Sequence, residues 1–126
     1  MSRASGAGPQ ALPLTDFCPR YHHAIELIER RWTGAVIRVL IAGPHRFSEV
    51  LAAVPGLSDR LLSERLRELE LEGLVERRVL PGPPVGVEYE LSSMGHELEP
   101  VVRSVAAWAE RWLPEPAVAI DQPGEG

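Results

Sequence analysis

Between residues 19 and 112 apolar and polar positions alternate with two periods, and the switch between them organises the chain. From Pro19 to Gly73 apolar residues recur mostly every three or four positions, the spacing of one face of an α-helix. Pro19 suits a first helical position, and the pattern predicts a helix to about Arg31 with Ile25, Ile28 and Trp32 on its buried side. Thr33 and Gly34 interrupt it. "AVIRVLIA" then predicts a short, very apolar helix at the centre of the domain, stopped by Gly43 and Pro44. Ser48 is placed to cap a helix to about Val54, Pro55-Gly56 signals a turn, and Ser58 caps the helix that follows. Helices of about six and fifteen residues joined by a tight turn have the dimensions of a helix-turn-helix.

On a wheel of about 100° per residue, Leu62, Leu66 and Leu69 form one stripe of the second of these helices. Arg60, Ser63, Glu64 and Arg67 fall on the opposite side, and Leu71 falls there too, a poor fit unless a partner subunit covers it. The leucine pattern ends at Gly73 after little more than two heptads, which excludes a coiled coil. "LVERRVL" and "VGVEYELS" then alternate apolar with polar around the turn-forming "PGPP", so they read as a β-hairpin. A helix-turn-helix followed at once by a hairpin is a winged helix, a mainly α fold with a small β wing. The last helix carries Leu98, Val101, Val102, Val105, Trp108, Ala109 and Trp112 over about 160°, wider than one small domain needs. Part of that stripe is core. The excess, with the apolar first helix, predicts a dimer interface, and Trp32, Trp108 and Trp112 are candidates to line an aromatic cavity there for a small-molecule inducer.

Composition narrows the function. The 126 residues suit one domain, read as a flexible arm over 1–16, the winged helix over 17–113 and a flexible proline- and acid-bearing tail over 114–126. No apolar run reaches the length of a membrane span, and the N-terminal stretch lacks the apolar segment of a signal peptide, so the expected location is cytoplasmic, with no membrane partner. A single cysteine agrees with a reducing compartment. The net charge is −5 and all 13 basic residues are arginine. An acidic total argues mildly against nucleic acid, and residues 44–78 hold six arginines against seven acids, so no basic block stands out. Position outweighs the sum, because a positive outward face can stand beside negative flanks.

Several motifs together carry a family resemblance: "CP" before the first helix, Trp32, "RFSEVL", "PGLSDRLLSERLRELELEGLVERR", "PP" with "VEYELSSMG", and a final tryptophan-bearing helix. From Cys18 to about Trp112 the chain resembles the HxlR-type transcriptional regulators, close to the MarR group. The resemblance implies a homodimeric winged-helix protein that binds double-stranded operator DNA, usually as a repressor and sometimes as an activator. Two places depart from the family pattern. Val85 and Gly86 follow the paired prolines where an arginine is common, and Arg30 and Arg31 precede Trp32 where Gly and Lys are usual.

Within that fold Arg60 and Ser63 are best placed to reach base edges, with Arg67 on the same side two turns on and Arg77 and Arg78 at the root of the wing. Arg46, Ser48, Ser58 and Arg78 suit phosphate contacts. The competing assignment for the arginines is surface pairing, such as Arg60 with Glu64. Cys18 stands at a helix start near Arg20, where amide dipoles favour a thiolate, and in some members of the resembled family a cysteine here senses oxidants. Its alternative is an inert thiol. Cys18 and His22 share a helix face without a metal-ligand motif, and no catalytic spacing of Ser, His or Asp is visible, so neither a metal, a cofactor nor an enzyme is expected. The rival function is a winged-helix module that binds protein partners and not DNA, favoured by the net charge and the uncharged wing tip.

Overall fold

The computed structural model describes residues 14–116. Most of the expected N-terminal arm and C-terminal tail lies outside the described residues. Six helices and three strands follow in the order α1 (Pro19–Glu29), α2 (Thr33–Ile41), β1 (His45–Arg46), α3 (Phe47–Ala53), α4 (Asp59–Leu71), β2 (Val75–Leu80), β3 (Gly86–Leu91), α5 (Ser93–His96) and α6 (Glu99–Trp112). The strands form one antiparallel sheet in the order β1-β3-β2. The chain is a winged helix-turn-helix, with α3 and α4 as the two-helix unit and β2–β3 as the wing.

The core sits where α2, α3 and α4 meet the root of the sheet. Val36, Ile37, Leu40, Val50, Leu62, Leu66 and Leu69 are buried at its centre, and Leu74, Val75 and Leu91 close it from the wing side. The central placement of α2 therefore holds, as does the Leu62–Leu66–Leu69 stripe. Thr33 does not break the pattern, however: it is buried and opens α2. The break lies just before it, where Trp32 takes a left-handed conformation (φ 76°), strained for a bulky side chain, and α1 ends at Glu29, short of Arg31.

Helix ends follow local chemistry. Ser58 caps α4 as expected, its hydroxyl accepting from the Leu61 N–H at 3.2 Å. Ser48 does not cap α3. The cap is Arg46, two residues earlier, because Arg46 takes an extended conformation and its backbone N–H donates to the Glu49 carboxylate at 2.8 Å. Gly73 (φ 85°) ends α4: its N–H reaches the Glu70 carbonyl and the Leu74 N–H the Leu69 carbonyl, which turns the chain directly into β2.

One charged side chain is buried among the described residues. Arg65 is only 7% exposed; its Nε donates to the Arg31 carbonyl at 2.8 Å and its Nη1 lies 3.1 Å from Glu68. Glu68 also holds Arg30 at 3.0 Å, so this cluster ties the α1–α2 junction to α4.

The terminal helices are the exception to burial. Neither α1 nor α6 has a fully buried residue. In α1 Leu27 packs on the core and Ile28 is half-buried, but Ile25 is exposed, against expectation, because the side of α1 facing the body carries polar links instead. Those links are His23 to Glu72 at 3.2 Å and Arg30 to Glu68.

Burial contrast along one helix yields a stability test. Leu66→Ala, at a position 1% exposed, should cost about 2–5 kcal/mol, whereas Leu71→Ala, at 81%, should change stability by about 0.5 kcal/mol or less. Urea unfolding followed by circular dichroism measures both, and equal costs would mean that α4 buries a different face.

Candidate nucleic-acid interface

With Leu62, Leu66 and Leu69 turned inward, the period of the helix turns Arg60, Ser63, Glu64 and Arg67 outward, and all four are exposed. Arg60 does pair with Glu64, at 3.5 Å. Both partners are well exposed, so the pair is weakly held and a phosphate or base can compete for the guanidinium. Arg67, two turns on, makes no ion pair among the described residues. Leu71 stands on this outward side as well and remains uncovered within one chain.

The two wing arginines separate. Register places Arg77 opposite Tyr89 and Arg78 opposite Glu88, so alternation along β2 sends them to different faces of the hairpin. Arg77 shares its face with Val75 and Val79, is exposed, and forms no ion pair among the described residues. Arg78 lies across β3 with its guanidinium 2.9 Å from Glu88 and 3.3 Å from Glu90. The hydrogen bond that Arg78 donates to Glu88, and then the charge of Glu90, raise the pKa of Arg78 above its already high ordinary value. The charge of Arg78 is thus committed inside the wing, which weakens its assignment as a phosphate contact.

The remaining expected contacts distribute around α3 and α4. Ser48 is exposed in the first turn of α3. Ser58 is half-buried, and its oxygen is engaged in capping. Arg46 lies in β1, opposite Glu88 on β3. That two-residue strand joins the helix-turn-helix to the wing and has too little sequence to show a period. His45 beside it has Nδ1 2.7 Å from the Gly43 carbonyl, a bond in which the ring N–H donates.

A second surface runs over the terminal helices. Val105, Trp108 and Trp112 are 62%, 57% and 63% exposed, and Val101 is exposed with them, while Leu98 and Val102 pack on the core. On α1 and just before it, Phe17, Tyr21 and Ile25 are exposed at intervals of four. An open groove of about 250 Å³ is lined by Ile28 of α1, Ala35 of α2, and Val101, Val102 and Val105 of α6, among others. No tryptophan lines it. Trp32 instead packs against the core with Arg31 over its ring, and the expected aromatic cavity is not formed within one chain. A positive φ at Trp32 could not be foreseen from a helix wheel.

Cys18 is the N-cap of α1. It is half-buried, and its Sγ accepts from the Tyr21 N–H at 3.5 Å. His22, one turn on, is occupied by Glu26 at 3.3 Å and by the ring of Phe17.

Known proteins share this arrangement. Residues 27–117 match the model of the HxlR-like helix-turn-helix family. An uncharacterized HTH-type transcriptional regulator of Bacillus subtilis, YvaP, is 44% identical over 99 residues, covering 79% of this chain and 92% of its own. The reduced form of the B. subtilis transcriptional regulator YodB superposes with a TM-score of 0.71 at 42% identity, over 78% of this chain and 96% of that one. YodB has also been solved after diamide treatment and with quinone bound. The redox regulator HypR in its oxidized form gives a TM-score of 0.72 at 35% identity, over 78% of this chain and all of that one. On sequence and fold together, the chain belongs to the HxlR-like helix-turn-helix family.

Proposed function

We propose that this protein is a sequence-specific DNA-binding transcriptional regulator that acts as a homodimer on an inverted-repeat operator and represses by occupying promoter DNA. One observation carries the reading. The buried leucine stripe of α4 leaves Arg60, Ser63 and Arg67 on its outward side, in the same module as a wing that offers Arg77. Arginine paired to guanine is the commonest base-specific contact, and the serine suits either a base or a phosphate. The glutamates of the wing and the net charge of −5 do not oppose this, because Arg78 offsets part of the β3 charge by pairing with Glu88 and Glu90, and position outweighs the sum.

Dimerisation is supported by the apolar surface of α1 and α6, which one chain leaves uncovered. Two such chains related by a two-fold axis present two α4 helices. A spacing of about 34–36 Å between them would match one turn of DNA. A signal is supported by Cys18 at the start of α1, on that same surface, and by the reduced, diamide-treated and quinone-bound forms in which the similar YodB has been solved. We assign Cys18 the role of oxidant or electrophile sensor. With one cysteine per chain, its products are a sulfenic acid, a mixed disulfide or a disulfide between subunits.

A mobility shift on promoter DNA from beside its own coding region, repeated over a salt series, tests the function. Binding that weakens steeply with salt is expected, and no binding to any duplex would leave the protein-interaction module standing instead.

Four substitutions separate the parts. Arg60→Ala and Arg67→Ala should each weaken operator binding by about 1–3 kcal/mol, read by fluorescence anisotropy; parent-like affinity in both would show that α4 presents another side to DNA. Val105→Glu places a charge in the apolar surface and should yield a monomer by sedimentation that no longer protects the full operator while keeping its helix content. A monomer that still protects it would move the interface elsewhere. Diamide should modify Cys18 and alter DNA affinity, and Cys18→Ser should remove that response. If native protein resists thiol labelling, the cysteine is structural only.

A further inference from the structure

The wing holds a charge problem whose solution assigns a role to a glycine. The face of the sheet that carries Arg78 brings together Arg46 from β1, Gly86, Glu88 and Glu90 from β3, and Glu76 and Leu80 from β2, as the pairing register requires. Three carboxylates meet two guanidinium groups there. Arg78 engages both Glu88 and Glu90. Arg46, although directly opposite Glu88, makes no ion pair among the described residues.

The guanidinium of Arg46 lies instead toward the tip, against Gly86. A Cβ built on Gly86 would stand 3.0 Å from Arg46 Nη1, 3.3 Å from Cζ and 3.5 Å from Nη2. Gly86 is not needed for the backbone: the positive-φ glycines among the described residues are Gly43, Gly56, Gly73 and Gly82. Its missing side chain therefore serves as space. The tip beyond it, Pro81 to Val85, has no charged residue, so Arg46 is the cation nearest the end of the wing on this face.

We propose that Arg46 and Gly86 act as one unit, in which the bare backbone of Gly86 seats the Arg46 guanidinium at the wing and directs it to a DNA phosphate. This rests on the DNA-binding reading above and deepens it. Arg78 is the complement of the device, since by neutralising Glu88 it leaves Arg46 uncommitted.

A double-mutant cycle on the full chain tests the unit, using a duplex selected from random sequence by the unsubstituted protein. Gly86→Val suits a strand, so it should preserve the hairpin while displacing the guanidinium. Arg46→Ala is expected to lower affinity about tenfold and to reduce the salt slope by about one phosphate contact. Gly86→Val alone, which changes no charge, should do much the same. In the Arg46→Ala background Gly86→Val should have less than about a twofold effect, with thermal midpoints confirming that all four proteins fold. The smaller Gly86→Ala guards against a misfolded valine variant and should fall between parent and Gly86→Val. Equal losses from Gly86→Val in both backgrounds, or an unchanged salt slope in Arg46→Ala, would overturn the unit while leaving DNA binding intact. Failure of the unsubstituted protein to select any duplex would overturn the function itself, and this role with it.

Discussion

Leu62, Leu66 and Leu69 hold one side of α4 in the core, and the rest of the interface depends on that attachment. A helix repeats every 3.6 residues, so burying that side dictates which residues face away. Arg60, Ser63 and Arg67 are outward because the leucines are inward; no separate interaction aims them. The turn after α4 extends the constraint to the wing. Gly73 lets the chain reverse within two residues, Leu74 and Val75 enter the same core, and the hairpin is therefore set at a fixed angle beside the helix. Helix and wing form one rigid surface with shared packing behind it.

Charge on that surface is sorted by partner, which explains how an acidic chain can present a basic face. Arg65 is buried and spent on the Arg31 carbonyl and Glu68, and Arg78 is spent on Glu88 and Glu90. Arg78 stays half-exposed and sets one positive charge against two carboxylates, so the pairing takes its own charge out of play and offsets only part of theirs. What remains outward near α4 and the wing is Arg46, Arg67 and Arg77, with Arg60 loosely held. A count over residues 44–78 gives nearly balanced charge and misses this, because a sum has no direction.

The same distinction marks what could be read from sequence. Elements with a strong period and a clear stop were legible: α2, α4 and the two wing strands each lie close to the expected span, and Ser58 caps as its position suggests. Features set by partners distant in sequence were not. The strand β1 has two residues and exists only because β3 pairs with it. Arg65 reads as one more surface arginine until a carbonyl 34 residues away claims it. Ser48 looked like a cap, yet the Glu49 carboxylate captures the Arg46 N–H first and starts α3 earlier. Among the candidate contacts, helical spacing was enough to place Arg60, Ser63 and Arg67 on one outward side, whereas the opposite fates of Arg77 and Arg78 needed the cross-strand register.

The terminal helices show the limit of a single chain. A helix of 14 residues such as α6 is marginal on its own in water, and most helical stability in proteins comes from packing an apolar face. Here Leu98, just before α6, and Val102 within it pack on the core, while the valines and tryptophans at 101, 105, 108 and 112 are exposed. The first helix is held to the body by Leu27 on the core and by the contact of His23 with Glu72, with Arg30 on Glu68 just past its end. Both terminal helices thus carry apolar surface that their own domain does not use, and each contributes to one groove, α1 through Ile28 and α6 through Val101 and Val105. In the proposed dimer a second copy covers them, so the stability of α1 and α6 becomes tied to the association that also spaces the two α4 helices. In the proposed dimer Cys18, the N-cap of α1, adjoins the covered helix, which is where the proposed sensing would act. A modification there needs no path through the core to reach the DNA: it need only alter how two subunits are set against each other.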